Sequence, residues 1–134
     1  MQQKEDRPHH PFSFQKKERI CSDIVLERLL SKRQSLFCYP FKCFYDFEPC
    51  TGGDCFNMVA LSVPKKRIRH AVDRNLVKRR TREAYRLNKH ILDTLPEKEG
   101  RRALLFFVFV GTEVPSFNFI SDKIISLLKR LLSC

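Results

Sequence analysis

The chain has no apolar run long enough to cross a bilayer as a helix. Its longest, Ala103 to Val110, falls far short of the ~20 residues such a span needs. No apolar segment follows the opening Met1-Gln2-Gln3-Lys4-Glu5-Asp6, so a secretory signal is not expected. Internal repeats, low-complexity tracts and a composition break that would mark a second domain are also missing. Together these absences point away from a membrane partner and towards a cytoplasmic protein. At 134 residues, one domain over 1–134 is expected, with an extended arm over 1–20 and a body over 21–134. A hydrophobic content of 43% is enough for that body to bury a core without metals or disulfides.

Acidic residues are scarce where basic residues crowd. The chain carries 26 Lys and Arg against 15 Asp and Glu, a net charge of +11. Between Pro64 and Lys89 there are eleven basic residues and only two acids, Asp73 and Glu83. Most of the excess charge therefore sits in about a fifth of the chain. A solvated helix face usually intersperses both signs. A concentrated patch of one sign instead favours a polyanion, through release of condensed counterions.

The pattern of apolar residues predicts an α-β-β-α-β-α order. Ser22 can cap a helix over Asp23 to Lys32, with Ile24, Val25, Leu26, Leu29 and Leu30 as its apolar face. Leu36 to Phe47, rich in Phe, Tyr and Cys, reads as one strand with Pro40 at an edge or bulge. Pro49 and Gly52-Gly53 turn the chain into a second strand, Phe56 to Val63. A long helix follows over Ala71 to Leu92, and Pro96 to Gly100 breaks it off. Ala103 to Val110 reads as a strand covered on both faces. A last helix is expected over Ser121 to Leu132. The fold class is α+β, a single small sandwich of helices on one sheet.

Projected at about 100° per residue, the central helix separates two faces. Leu76, Val77, Ala84, Leu87 and Ile91 fall on one side, opposite Asn75, Lys78, Arg79, Arg82, Arg86 and Lys89. Arg80 alone disturbs the division, and its stem can lie along the core edge while the guanidinium snorkels. Arg dominates the basic stripe, and its planar fork grips a phosphate bidentately or stacks on a base. Asn75 is a poor helix former, so its place among arginines suggests a bond to phosphate, ribose or a neighbouring arginine. Lys65, Lys66 and Arg67 precede the helix in a loop. The candidate RNA-binding residues are therefore Lys65, Lys66, Arg67, Arg74, Asn75, Lys78, Arg79, Arg82 and Arg86.

Catalytic and metal-binding sets are not evident. Of the histidines, His9 and His10 fall in the arm, while His70 and His90 lie near opposite ends of one helix, ~30 Å apart. The acids are scattered, with no cluster suited to two-metal chemistry. Cys38/Cys43 and Cys50/Cys55 have a spacing that invites a zinc reading, but there is no Cys-x-x-Cys and no nearby His. On a regular strand Cys38 and Cys43 would also face opposite sides. Reduced, buried or idle thiols are the better account, with oxidation of Cys50 and Cys55 across their Gly-Gly turn a lesser option.

Two stretches are similar to a known signature. They are Val63-Pro64-Lys65-Lys66 and His70-Ala71-Val72-Asp73-Arg74-Asn75-Leu76-Val77-Lys78-Arg79-Arg80-Thr81-Arg82-Glu83. They resemble the bacterial ribonuclease P protein subunit, whose pattern runs Ser-Val-x-Lys-Lys, Asn-Ala-Val, then Arg-Asn-x-x-Lys-Arg-x-x-Arg-Glu. The resemblance covers roughly residues 14 to 132. His70 stands where the family usually has Asn, Arg33 where Gly is common, and Leu26 and Leu30 where phenylalanines are frequent. The resemblance implies a fold like the second domain of a small-subunit ribosomal protein, with a left-handed β-α-β crossover. It also implies a catalytic RNA partner that holds the Mg²⁺ and removes the 5′ leader of precursor tRNA. The basic helix would dock on that RNA, and a cleft between the first helix and the sheet would hold the leader.

Single-stranded RNA is commonly held by ring stacking beside a cation. Lys42 and Phe44 share parity on the first strand and are the leader-binding candidates, with Phe12 and Phe14 able to cover them from the arm. The alternative is a non-enzymatic RNA-binding protein such as a small ribosomal protein. A free-standing DNA-binding helix is disfavoured, because the central helix has an apolar face to pack on its own domain.

Overall fold

The computed structural model describes residues 18–50 and 55–134. The elements are α1 (Asp23–Lys32), β1 (Ser35–Cys38), β2 (Phe41–Pro49), β3 (Met58–Ser62), α2 (Ala71–Asn88), α3 (Thr94–Lys98), β4 (Arg101–Phe109) and α4 (Phe117–Leu131). A 3-10 turn, Lys89–Leu92, joins α2 to α3. The sheet order is β1-β2-β4-β3. β1/β2 and β2/β4 pair antiparallel, whereas β3 and β4 are parallel neighbours. A parallel pair needs a crossover, and α2 with α3 supplies it.

The expected single strand over Leu36 to Phe47 is instead a hairpin. Tyr39 and a cis Pro40 form the turn, and Cys38 pairs with Phe41. Proline carries no N–H for a ladder, so an interior proline resolves into a turn. The hairpin adds a fourth strand and changes the parity of β1 relative to β2. Leu36 lies opposite Cys43 and Cys38 opposite Phe41, so Cys38 and Cys43 share a face rather than opposing each other. Among the described residues, no group of three His, Cys, Asp or Glu gathers to hold a metal. Cys50 and Cys55 are joined as a disulfide, Cα–Cα 5.7 Å, which departs from the expectation of reduced thiols.

β4 sits inside the sheet, which explains its unbroken apolar character. One face of the sheet carries Phe41, Cys43, Val59, Leu105, Phe107 and Phe109 against α2 and α4. Ile120, Ile124, Leu127, Leu128 and Leu131 of α4 are buried there. The helix starts at Phe117, four residues earlier than expected, because Ser116 caps it by accepting from the Phe119 N–H at 3.2 Å. The break expected at Pro96 is the short α3, within whose first turn proline is tolerated.

The opposite sheet face is covered only in part, by α1. Ser22 caps α1, accepting from the Val25 N–H at 3.4 Å. Only Leu29 is fully buried, against Leu104 and Ile20, with Val25 and Leu26 half-buried. Ile24, expected on the apolar face, is 79% exposed, and Leu30 is exposed too. One helix across one end of the interior strands buries a narrow stripe, and these two residues fall outside it. Ion pairs finish the seating, with Lys32 on Asp46 (3.0 Å) and Arg28 on Glu48 (3.4 Å). Arg33 ends the helix at φ +59°, the left-handed region in which glycine is the easiest residue. The departure from the family's usual Gly therefore falls on a position with a physical demand for one.

Of the expected arm, Phe12, Phe14, His9 and His10 lie outside the described residues. Glu18 to Ile20 belong to the body. Ile20 donates its N–H to the Val59 carbonyl at 2.9 Å, and Arg19 bridges to Val59 in parallel. Glu18 is buried and paired with Lys89 at 2.6 Å.

Candidate nucleic-acid interface

The first surface is built on α2. Its buried residues are Val77, Thr81, Ala84 and Tyr85. That face is rotated from the expected one: Tyr85 and Thr81 turn inward, while Leu87 is left exposed. The rotation arises because α2 must serve two neighbours, the sheet and α4. Asn88 reaches Ser121 of α4 at 3.5 Å, and Arg80 donates to the Pro115 carbonyl at 2.5 Å. Arg80 is thus spent on structure, its guanidinium bonded to a carbonyl rather than snorkelling to solvent as expected.

Opposite that face, Asn75, Arg79 and Arg82 are exposed and Lys78 and Arg86 half-exposed. Arg86 is bound to Glu83 at 3.0 and 2.6 Å, and that hydrogen bond holds the Glu83 carboxyl below the usual carboxylate range. Lys89, the last member of the expected stripe, is tied to Glu18 and leaves it. Lys65, Lys66 and Arg67 are exposed on the turn before α2. Arg74 has a different role from its neighbours: its Nη1 donates to the carbonyls of Ile68 (3.0 Å) and Arg69 (2.8 Å). It fastens the basic loop to the first turn of α2, a role invisible until loop and helix are folded together.

The second surface is the part of the sheet that α1 leaves open. Three rows cross it. Asp46, Leu104 and Met58 lie beneath α1; Phe44, Phe106 and Ala60 form its border; Phe37, Lys42, Val108 and Ser62 lie beyond. Lys42 and Phe44 share this face, with the Lys42 Nζ 5.1 Å from the ring centroid. Phe44 and Phe106 pack at 6.3 Å. A cleft of about 410 Å³ opens at the β3 edge, lined among others by Arg19, Leu26, Ala60, Ser62, Arg82 and Phe106. Such a volume accepts a small-molecule-sized group. Phe106, Ser62 and Arg19 were missed in the sequence because their approach depends on strand order. Arg82 belongs to both surfaces, so the stripe and the cleft are continuous.

Acids on this face sit at the α1 end and are paired. Glu48 meets Arg28 and Arg102, and Asp46 meets Lys32. The open end carries Lys42 with no acid in its row. Charge thus changes sign along one strand, from Glu48 to Lys42.

Known proteins share this chain's fold and sequence pattern. A family model described as Ribonuclease P matches residues 14–132. The Ribonuclease P protein component of Porphyromonas gingivalis strain W83 is 34% identical over 110 residues, 80% of this chain and 77% of that protein. The Chlorobaculum tepidum component is 38% identical over 81 residues, 56% of this chain and 53% of that protein. The solved RNase P protein of Staphylococcus aureus aligns with a TM-score of 0.61 at 22% identity, over 85% of this chain and 94% of that one. That of Thermotoga maritima gives 0.58 at 24%, over 81% and 90%. The structural likenesses carry the fold, and the sequence matches carry the family. The chain belongs to the ribonuclease P protein family, whose members bind RNA and serve in removing the 5′ leader from tRNA precursors.

Proposed function

We propose that the chain assembles with the catalytic RNA subunit of ribonuclease P in the cytoplasm and holds the 5′ leader of precursor tRNA. The RNA then performs the endonucleolytic cut that leaves the mature 5′ end. The observation that carries this reading is the pair of surfaces meeting at Arg82. The basic loop and stripe suit the phosphates of a large folded RNA. The open sheet, with rings and Lys42, suits a single strand held without base reading. Lys65, Lys66, Arg67, Asn75, Lys78, Arg79 and Arg82 serve the first surface, with Arg74 fastening its loop and Arg86 held by Glu83 at its border, and Lys42 and Phe44 serve the second.

Mg²⁺ is assigned mainly to the RNA. What supports this is the use this chain makes of its acids. Glu18, Asp46, Glu48, Glu83 and Glu99 each pair with a Lys or Arg. Such carboxylates hold the fold's cations rather than converge on a reacting phosphate. The test is reconstitution. Purified chain with Mg²⁺ should leave precursor tRNA intact, and adding the cognate RNA at low salt should give a single 5′ cut. Site-specific cleavage by the RNA-free chain would overturn the assignment. Sequencing the RNA that co-purifies adds a second check: one RNA of the catalytic type supports the reading, and ribosomal RNA contradicts it.

A further inference from the structure

We infer that the leader track does not end at the cleft, but crosses the open end of the sheet to Phe37, whose ring stacks a further base. This rests on the leader-binding reading above and extends it to a residue on the edge strand. Phe37 is opposite Lys42 in the β1–β2 register and 57% exposed, an unusual position for a large ring. It lies diagonally across from Phe44, at the separation of about 7–8 Å typical of such pairs. Both rings therefore stand on one face of the sheet, with Lys42 beside them.

The row explains the route. From Ser62 at the cleft it passes Val108 and Lys42 to Phe37, three inter-strand gaps of about 4.8 Å, or roughly 14 Å in all. A stacked strand covers that distance in about four nucleotides. The row contains a cation and no acid, which suits a polyanion, whereas the paired acids lie at the far end under α1. The ring is also well placed. Arg130 of α4 donates to the Phe37 carbonyl at 2.8 Å, which ties the edge strand to the helix on the other face of the sheet. Rigid rings on a fixed strand bind with little ordering cost.

The experiment measures affinity of the holoenzyme, reconstituted with the cognate RNA, for precursor tRNAs with leaders lengthened one nucleotide at a time. Mature tRNA and Phe44→Ala are the controls. Wild type should gain affinity with length and then level off. Phe37→Ala should match wild type on short leaders and level off about one nucleotide earlier, at the last position of the track. On long leaders it should bind roughly five- to a hundredfold more weakly, as loss of one stacked base implies. Phe37→Tyr should restore the wild-type curve. Equal binding by Phe37→Ala at every length overturns the inference, while wild-type discrimination of precursor from mature tRNA leaves the leader-binding reading standing. A uniform loss that includes mature tRNA also overturns it, by making Phe37 a folding residue. If wild type itself fails to distinguish precursor from mature tRNA, the leader-binding reading falls, and the inference with it.

Discussion

Arg74 offers the sharpest separation between holding a loop and touching RNA. Its Nη1 donates to two carbonyls, Ile68 at 3.0 Å and Arg69 at 2.8 Å. The first lies in a part-buried setting and the second is exposed, so most of the energy belongs to the first. Hydrogen bonds to a charged donor contribute about 1.5–3 kcal/mol. Arg74→Ala should then cost about 2 kcal/mol, or roughly 6–10 °C in Tm for a chain of this size. Arg74→Lys keeps the charge, but its side chain ends one bond short of Nη1, so the ammonium falls short of the two carbonyls and the variant should lose nearly as much stability. A phosphate contact predicts the reverse pattern: an unchanged Tm in both variants, a salt slope lowered by about 0.7–0.9 in the alanine variant, and near-normal binding in the lysine variant. Thermal unfolding and RNA affinity across a salt series, on the same two proteins, read both quantities. Unchanged Tm values with a flattened salt slope in Arg74→Ala alone would refute the clamp.

Replacing the exposed Arg79 and Arg82 together by Ala should leave Tm unchanged and flatten the salt dependence of RNA binding, measured by filter binding, by about 0.7–0.9 for each phosphate no longer neutralised. Leu29→Ala empties the fully buried seat of α1 and should cost about 2–5 kcal/mol in chemical denaturation, with precursor binding weakened beside it. Arg33→Gly removes a side chain held at φ +59° and should range from neutral to about 1 kcal/mol stabilising in the same assay. Burial pushes the Cys43 thiol and the Tyr85 phenol well above their ordinary values. The folded state therefore keeps protons that the unfolded chain releases. Stability should be full below about pH 8.5 and fall as pH rises through the alkaline range, by up to about 1.4 kcal/mol per unit and group. A pH-independent Tm between about 8 and 11 would contradict that burial.

The elements with strong local signals were legible in the sequence. The bounds of α1 follow from its serine cap, and the character of β4 from its apolar run. The exposure of Asn75, Arg79 and Arg82 follows from period 3.6 alone, because no distant element packs on that line of α2. The shared face of Lys42 and Phe44 follows from period 2. What local pattern left open was decided by neighbours distant in sequence. The rotation of α2 depends on α4 docking beside the sheet. The hairpin at Pro40 reverses the parity between Cys38 and Cys43, and it alone sets Phe37 opposite Lys42. Arg86 and Lys89 read as equals on a helical wheel, yet Arg86 is claimed by a carboxylate one turn away and Lys89 by Glu18, while Arg74, off that stripe, is claimed by a loop. The amino-acid sequence by itself determined the charge, the bounds of α1 and the family. Tertiary structure decided which cations stay open to RNA and where a cleft forms, because pairing and strand order join residues that no local period connects.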